Sequence, residues 1–322
     1  MENALFRVQN FNCGREDMKD LVERKRIKSH QIQLLLLAVP GILFFAVFSY
    51  FPMYGILIAF KNFQIKKGIL KSPWANPWYK YFKQFFENPY CKQLLTNTVV
   101  ISVGKIVFNM FFSLSLAIVL SELKVKWLKK SVQTITYLPH FLSWVIVYGI
   151  IYALFSESSG LINVALRSAG KPTIPFLTSD GSFRMLLYFS DVWKEAGWGA
   201  IIYLAAIAGI DPGLYEAAAV DGASRWQRIW RVTLPSIRPT IIVMLILKLG
   251  TVMNAGFDQI YILYNSQVYA SSDIIDTWVY RIGLEQLNYS LATAVGLFKS
   301  VISTILVLSV NKIARKWEES LW

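Results

Sequence analysis

Cysteine, histidine and charge are all scarce in this chain. Cys13 and Cys91 are its only cysteines among 322 residues, too few for a disulfide scaffold of this length. His30 and His140 are the only histidines and stand far apart, so no paired-histidine metal motif exists. No Gly-x-x-x-x-Gly-Lys-Ser/Thr phosphate loop occurs, and no Gly-x-Ser-x-Gly elbow. The usual catalytic groups being missing, no enzyme activity, metal or bound cofactor is expected. Energy must then come from an ion gradient or from another subunit. Charged residues make up 16% of the chain and hydrophobic ones 55%, whereas soluble domains carry roughly 25% charge. Such a composition cannot clothe a water-facing surface, and its wealth of Leu, Ile, Val and Phe excludes disorder. A membrane protein remains. Its net charge of +13 then belongs in loops beside lipid rather than in a nucleic-acid patch.

Long uncharged runs fill the gap left by charge. None of Asp, Glu, Lys or Arg occurs between His30 and Lys61, or from Ser131 to Ser156, and roughly 20 residues suffice to cross a bilayer. Four more stretches carry one to three interruptions: about Leu94 to Leu120, Met185 to Ile210, Thr240 to Leu263 and Leu287 to Val310. None alternates as a barrel strand would. The expected fold is therefore all-α, with six transmembrane helices in one membrane domain over residues 32–312. Residues 1–31 read as a cytoplasmic lead-in and 313–322 as a cytoplasmic tail. The termini side of such a chain carries 18 Lys and Arg against 11 on the other, which favours cytoplasmic termini. The Lys-rich segment from Lys61 to Lys92 works against that bias. It reads as an interfacial loop with room for a short helix.

One loop, residues 211–239, is unlike a linker. Glu216 to Val220 are good helix formers, Gly222 permits a turn, and Ser224 with Gln227 makes a capping box for a second helix. Pro235 is expected to stop that helix. On periodicity alone the segment could equally be an amphipathic helix lying on the membrane. The string Glu216-Ala217-Ala218, then Gly222, then Ile229 with Leu234-Pro235, resembles the EAA motif of ABC importer permeases that work with a solute-binding protein. In that family the loop docks into a cleft of the ATPase subunit, which would place it and both termini in the cytoplasm. From about Leu34 onward the chain resembles the carbohydrate branch, the MalF-like and LplB-type sugar permeases, in strings such as Tyr137 to Trp144, Asp191 to Gly199, Val279 to Gly283 and Ala294 to Ser300. The resemblance implies an ABC type I importer-like permease moving a carbohydrate, an oligosaccharide with room for an acidic one, by alternating access. It also implies a second homologous permease subunit, two ABC ATPase subunits using ATP and Mg, and an extracellular solute-binding lipoprotein, all at the lipid of the cell membrane.

Ionisable groups inside spans are costly and usually face a partner or a cavity. Asp191, Lys194, Glu195 and Trp198 follow i, i+3, i+4 and i+7, one helical face, beside Trp193. Carboxylate, ammonium and indole together suit a sugar. An internal pair of Lys194 with Asp191 or Glu195 would fit the same pattern, as would proton coupling at Asp191 or Glu195 in a secondary transporter or channel. The family resemblance matches Trp193, Lys194, Glu195 and Trp198 to the solute-lining stretch of MalF-like permeases, with Asn254, Phe257 and Asp258 of the fifth span as second contributor. It makes Glu216, Ala217, Ala218, Gly222, Ile229, Leu234 and Pro235 the ATPase-coupling residues. Lys105 reads as a lysine snorkelling near a helix end, whereas Lys248 and Lys299 could snorkel or line a pore.

Overall fold

The computed structural model describes residues 32–315, so the expected lead-in 1–31 and the last seven residues lie outside the described residues. The chain divides into two compact units, Met1–Leu57 and Ile58–Trp322. In the first, residues 32–57 are helical throughout and belong to a continuous apolar helix, Ile32–Phe60. Among the described residues β-type pairing is limited to one isolated bridge, Lys61 with Trp74.

Among the described residues three helices are each long and apolar enough to span a bilayer: Ile32–Phe60, Cys91–Glu122 and Tyr289–Arg315. Three more candidates are bent pairs. Lys126–Phe141 turns by 107° into Trp144–Phe155, Asp180–Ala208 by 71° into Pro212–Val220, and Arg225–Ser236 by 60° into Arg238–Gly250. Counted one per pair, these make the six spans expected. Local chemistry explains the bends. Ser143 caps the second half of span three through the Ile146 amide, and Asp211 caps Pro212–Val220 through the Gly213 amide, with Pro212 at the first turn. The capping box of Ser224 and Gln227 forms as expected, with hydrogen bonds of 2.7 and 3.3 Å.

One expectation holds to within a residue and another fails. The helix that Pro235 was expected to stop ends at Ser236 and turns by 60° into Arg238–Gly250. A π-turn over Ile229–Thr233 widens the helix just ahead of the ring, and bulges of this kind absorb an interrupted backbone ladder. Span five is not one helix from Thr240 to Leu263. It ends at Gly250, passes through a 3-10 turn, and resumes as Phe257–Leu263. Ala255 and Gly256 between them have φ of 49° and 77°, left-handed values that end a helix.

Spans two and four pack along most of their lengths. Ile101, Leu187, Ile260 and Ile274 fill one part of the core, and Ala117, Tyr203, Ile207 and Ile237 another. The Lys-rich loop after span one is folded, with short helices at Gly68–Lys71 and Lys80–Phe86. Lys61 is buried there and donates to the carbonyls of Ile69 and Leu70 at 2.9 Å. One lysine that blurred the charge bias is thus an internal crosslink.

Candidate functional site

The break in span five is held from span two. Carbonyls freed in a broken membrane helix need new donors. Ser102 donates to the Val252 carbonyl, and Lys105 donates to that of Ala255 at 2.8 Å. Lys105 is 7% exposed and sits mid-helix, so it is no snorkelling lysine. A side chain at Gly256 would run into its ammonium. The break sets Asn254, Phe257 and Asp258 on the wall of one cavity of about 790 Å³, shared with Asp276, Tyr280 and Tyr289. Phe257 stacks on Tyr261 at 5.3 Å, and Lys299 holds both oxygens of Asp276 at 2.7 Å.

The helix Ile275–Tyr280, which brings Asp276 and Tyr280 to that cavity, is anchored at its end by Arg281. Its guanidinium grips the carboxylate of Asp273 at 3.0 and 2.5 Å, reaches the Tyr264 hydroxyl at 3.1 Å, and lies 4.7 Å over the Tyr269 ring. Thr277 adds a hydroxyl donor to Asp273 at 2.7 Å.

The span-four stripe divides between two neighbours. Asp191 faces span two, accepting from the Asn109 amide at 3.3 Å, while Lys248 donates to the amide oxygen of Asn109 at 3.0 Å. Lys194, Glu195 and Trp198 face the turn at the end of Lys126–Phe141. Lys194, 6% exposed, donates to the His140 carbonyl at 2.6 Å and pairs with Glu195 at 3.1 Å. The internal pair weighed from sequence therefore forms with Glu195 and not with Asp191. The other oxygen of Glu195 lies 2.7 Å from Nδ1 of His140. The His140 ring stacks on Trp198 with centroids 4.5 Å apart and planes within 3°, and Phe141 meets the same indole edge-on. Trp198 keeps 45% of its surface exposed and Trp193 47%. An indole backed by another ring and edged by a fixed carboxylate is a platform for the C–H face and hydroxyls of a sugar.

His140 is the residue that sequence reasoning missed. Its signal was faint: one of two histidines, directly after Pro139 within an uncharged run. The 790 Å³ cavity takes its lining from Asn254, Phe257 and Asp258 but not from Trp193, Lys194, Glu195 or Trp198.

The 211–239 loop presents two short helices joined at Gly222, whose φ is 75°. Glu216, Ala217, Gly222 and Pro235 are exposed and Ala218 is half-buried; Ile229 is buried, and Leu234 packs on the core with Ile237. The motif thus splits into residues that face outward and residues that anchor. The Tyr215 and Thr233 hydroxyls meet at 3.0 Å, tying the first helix to the second.

The family described as "Binding-protein-dependent transport system inner membrane component" matches residues 109–319. Protein LplB of Bacillus subtilis (strain 168) is 44% identical over 286 residues, 89% of this chain and 89% of that protein. The polygalacturonan/rhamnogalacturonan transport system permease protein YteP of the same organism is 42% identical over 300 residues, 92% of this chain and 93% of its own. A crystal structure of a bacterial alginate ABC transporter, in complex with its alginate pentasaccharide-bound periplasmic protein, contains a chain similar to this one. It is 38% identical with a TM-score of 0.82, covering 92% of this chain and 98% of that one.

Proposed function

Because the chain belongs to the family of binding-protein-dependent transport system inner membrane components, we propose that it passes an oligosaccharide, one bearing carboxylates, into the cell by alternating access. ATP hydrolysis by two partner ATPase subunits, with Mg, drives the step, and this replaces the ion gradient weighed from the sequence. A second homologous permease completes the pore, and an extracellular solute-binding lipoprotein delivers the solute. The observation that carries this reading is the similarity, over nine-tenths of the chain, to a polygalacturonan/rhamnogalacturonan permease and an alginate transporter chain. Both handle polymers of sugar acids. The solute contacts are Trp193, Glu195 and Trp198, with Lys194 fixing the Glu195 carboxylate, and, as a separate group at the 790 Å³ cavity, Asn254, Phe257 and Asp258.

The exposed Glu216, Ala217, Ala218 and Gly222 form the surface that the ATPase meets, with Ile229, Leu234 and Pro235 beneath or beside it. Gly222→Asp tests this. An added Cβ there meets nothing within 4 Å in this chain, and Asp tolerates a left-handed conformation better than most residues. The φ of 75° strains any L side chain there, so Gly222→Asn, of the same shape without the charge, is the control, and damage beyond that control arises at the partner. An unpaired charge at an interface costs roughly 2–5 kcal/mol, so ATP-driven uptake of an oligogalacturonate by the reconstituted transporter should fall more than about tenfold, with membrane insertion normal. Coupled ATPase activity that still responds to loaded binding protein would remove the loop from this role.

Residues 211–239 and both termini lie in the cytoplasm in this reading. A Ser224→Cys variant without Cys13 and Cys91 should resist an impermeant thiol reagent in intact cells. A Gln267→Cys variant, at an exposed outer position, should react. The reverse pattern would overturn both the orientation and the coupling role.

A further inference from the structure

A second cavity, of about 800 Å³, lies between span four and the segment Lys126–Phe141, with Tyr215 and Arg228 of the 211–239 loop in its wall. Its walls continue those of the Trp198 platform. On span four, Lys194, Trp198, Ile201, Ala205 and Ala208 advance by alternating steps of four and three, one helical face. The first two belong to the platform and the last three line the cavity. On the facing segment, Lys129, Gln133 and Tyr137 repeat every fourth residue and line the cavity, and His140 and Phe141 follow at the platform. Two walls thus run from the stacked indole to the coupling loop. The cavity is of the size that holds small ligands, roughly 300–1,000 Å³.

Its polar groups point to a class of ligand. Neither Lys129 nor Arg228 has an ion-pair partner among the described residues, and Glu122 is the one carboxylate in the lining. Tyr137 and Tyr215 offer ring faces, Gln133 an amide and Ser121 a hydroxyl. Lys194, the cation of the platform, is already occupied by Glu195. We infer that this cavity is an exit site, the station a saccharide occupies after leaving the Trp198 platform, and that Lys129 and Arg228 there select for its carboxylates. The inference rests on the transport reading and on the cytoplasmic placement of the 211–239 loop. It differs from that reading in adding a second station with its own charge preference.

The test uses the complete transporter, nucleotide-free, with Cys13 and Cys91 replaced by Ser and Ala205→Cys as reporter. Trigalacturonate should protect the reporter from a thiol reagent, and neutral maltotriose should protect it far less. Combining Lys129→Gln with Arg228→Gln should raise the half-protecting trigalacturonate concentration about tenfold or more. The charge-keeping pair Lys129→Arg and Arg228→Lys should stay near the parent. Equal protection in the Gln pair, or loss in the charge-keeping pair as well, would overturn the charge role. Protection by inorganic phosphate or phosphatidylglycerol vesicles as strong as by trigalacturonate would make the cavity a phosphate or lipid site and overturn the assignment. ATPase stimulation by trigalacturonate-loaded binding protein separates the two readings. Stimulation without protection sinks the exit site alone, whereas no stimulation sinks the transport reading and the exit site with it.

Discussion

Arg281→Met should be strongly destabilising, costing roughly 3–5 kcal/mol. The side chains of Asp273 and Arg281 are 8% and 19% exposed, so removing the guanidinium strands a carboxylate with little water to replace it. The two parallel hydrogen bonds, at 3.0 and 2.5 Å, are the geometry in which arginine binds a carboxylate most strongly. Lysine cannot reproduce the fork, so Arg281→Lys should fall between. The segment so pinned carries Asp276 and Tyr280 of the 790 Å³ cavity. Thermal unfolding of the purified transporter should show a clear drop for Arg281→Met. Adding Asp273→Leu should recover much of it, because the stranded charge and not the lost attraction dominates the cost. An unchanged unfolding midpoint in Arg281→Met would show that water or lipid headgroups already satisfy Asp273.

Lys105→Met should abolish most transport without touching the Trp198 platform. The loss of its donor leaves the Ala255 carbonyl buried and unpaired, at about 1–3 kcal/mol. That penalty falls on the turn that aims Asn254, Phe257 and Asp258. Gly256→Ala attacks the same contact from the other side, since its methyl would displace the ammonium and its φ of 77° strains any L side chain. Each variant should lower uptake about tenfold or more. Because the two share one contact, their effects should not add. Strict additivity, or normal uptake by a folded Lys105→Met transporter, would show that the break stands without span two.

The contrast between these two sites explains what was legible in the sequence. Spans one, two and six each run as one helix through an apolar stretch with at most one charged residue, and a count of charges along the chain finds them. The capping box at Ser224 and Gln227 was equally legible, since all its partners lie within four residues. The break in span five was not. Ala255-Gly256 sits in an apolar stretch that reads as helix, and the donors that hold it, Ser102 and Lys105, come from some 150 residues earlier. Lys105 was misread for the same reason: its acceptor has no local trace. On span four the periodicity correctly placed Asp191, Lys194, Glu195 and Trp198 on one side. It could not say that successive turns of that side meet different neighbours, Asn109 for the first and His140 for the rest. His140 itself carried no pattern, because one histidine repeats with nothing.

The hydroxyl contact between Tyr215 and Thr233 has a mechanical meaning once the ATPase is imagined gripping the loop. Span four leads into the first loop helix, and the second leads through Ile237 into span five. Joined by that contact, the two helices form a yoke rather than two levers. A pull on Glu216 or Gly222 must then shift the feet of both spans together, and with them the platform at Trp198 and the turn at Asn254. If the loop is the surface the ATPase meets, a yoke of this kind makes the feet of spans four and five move in step.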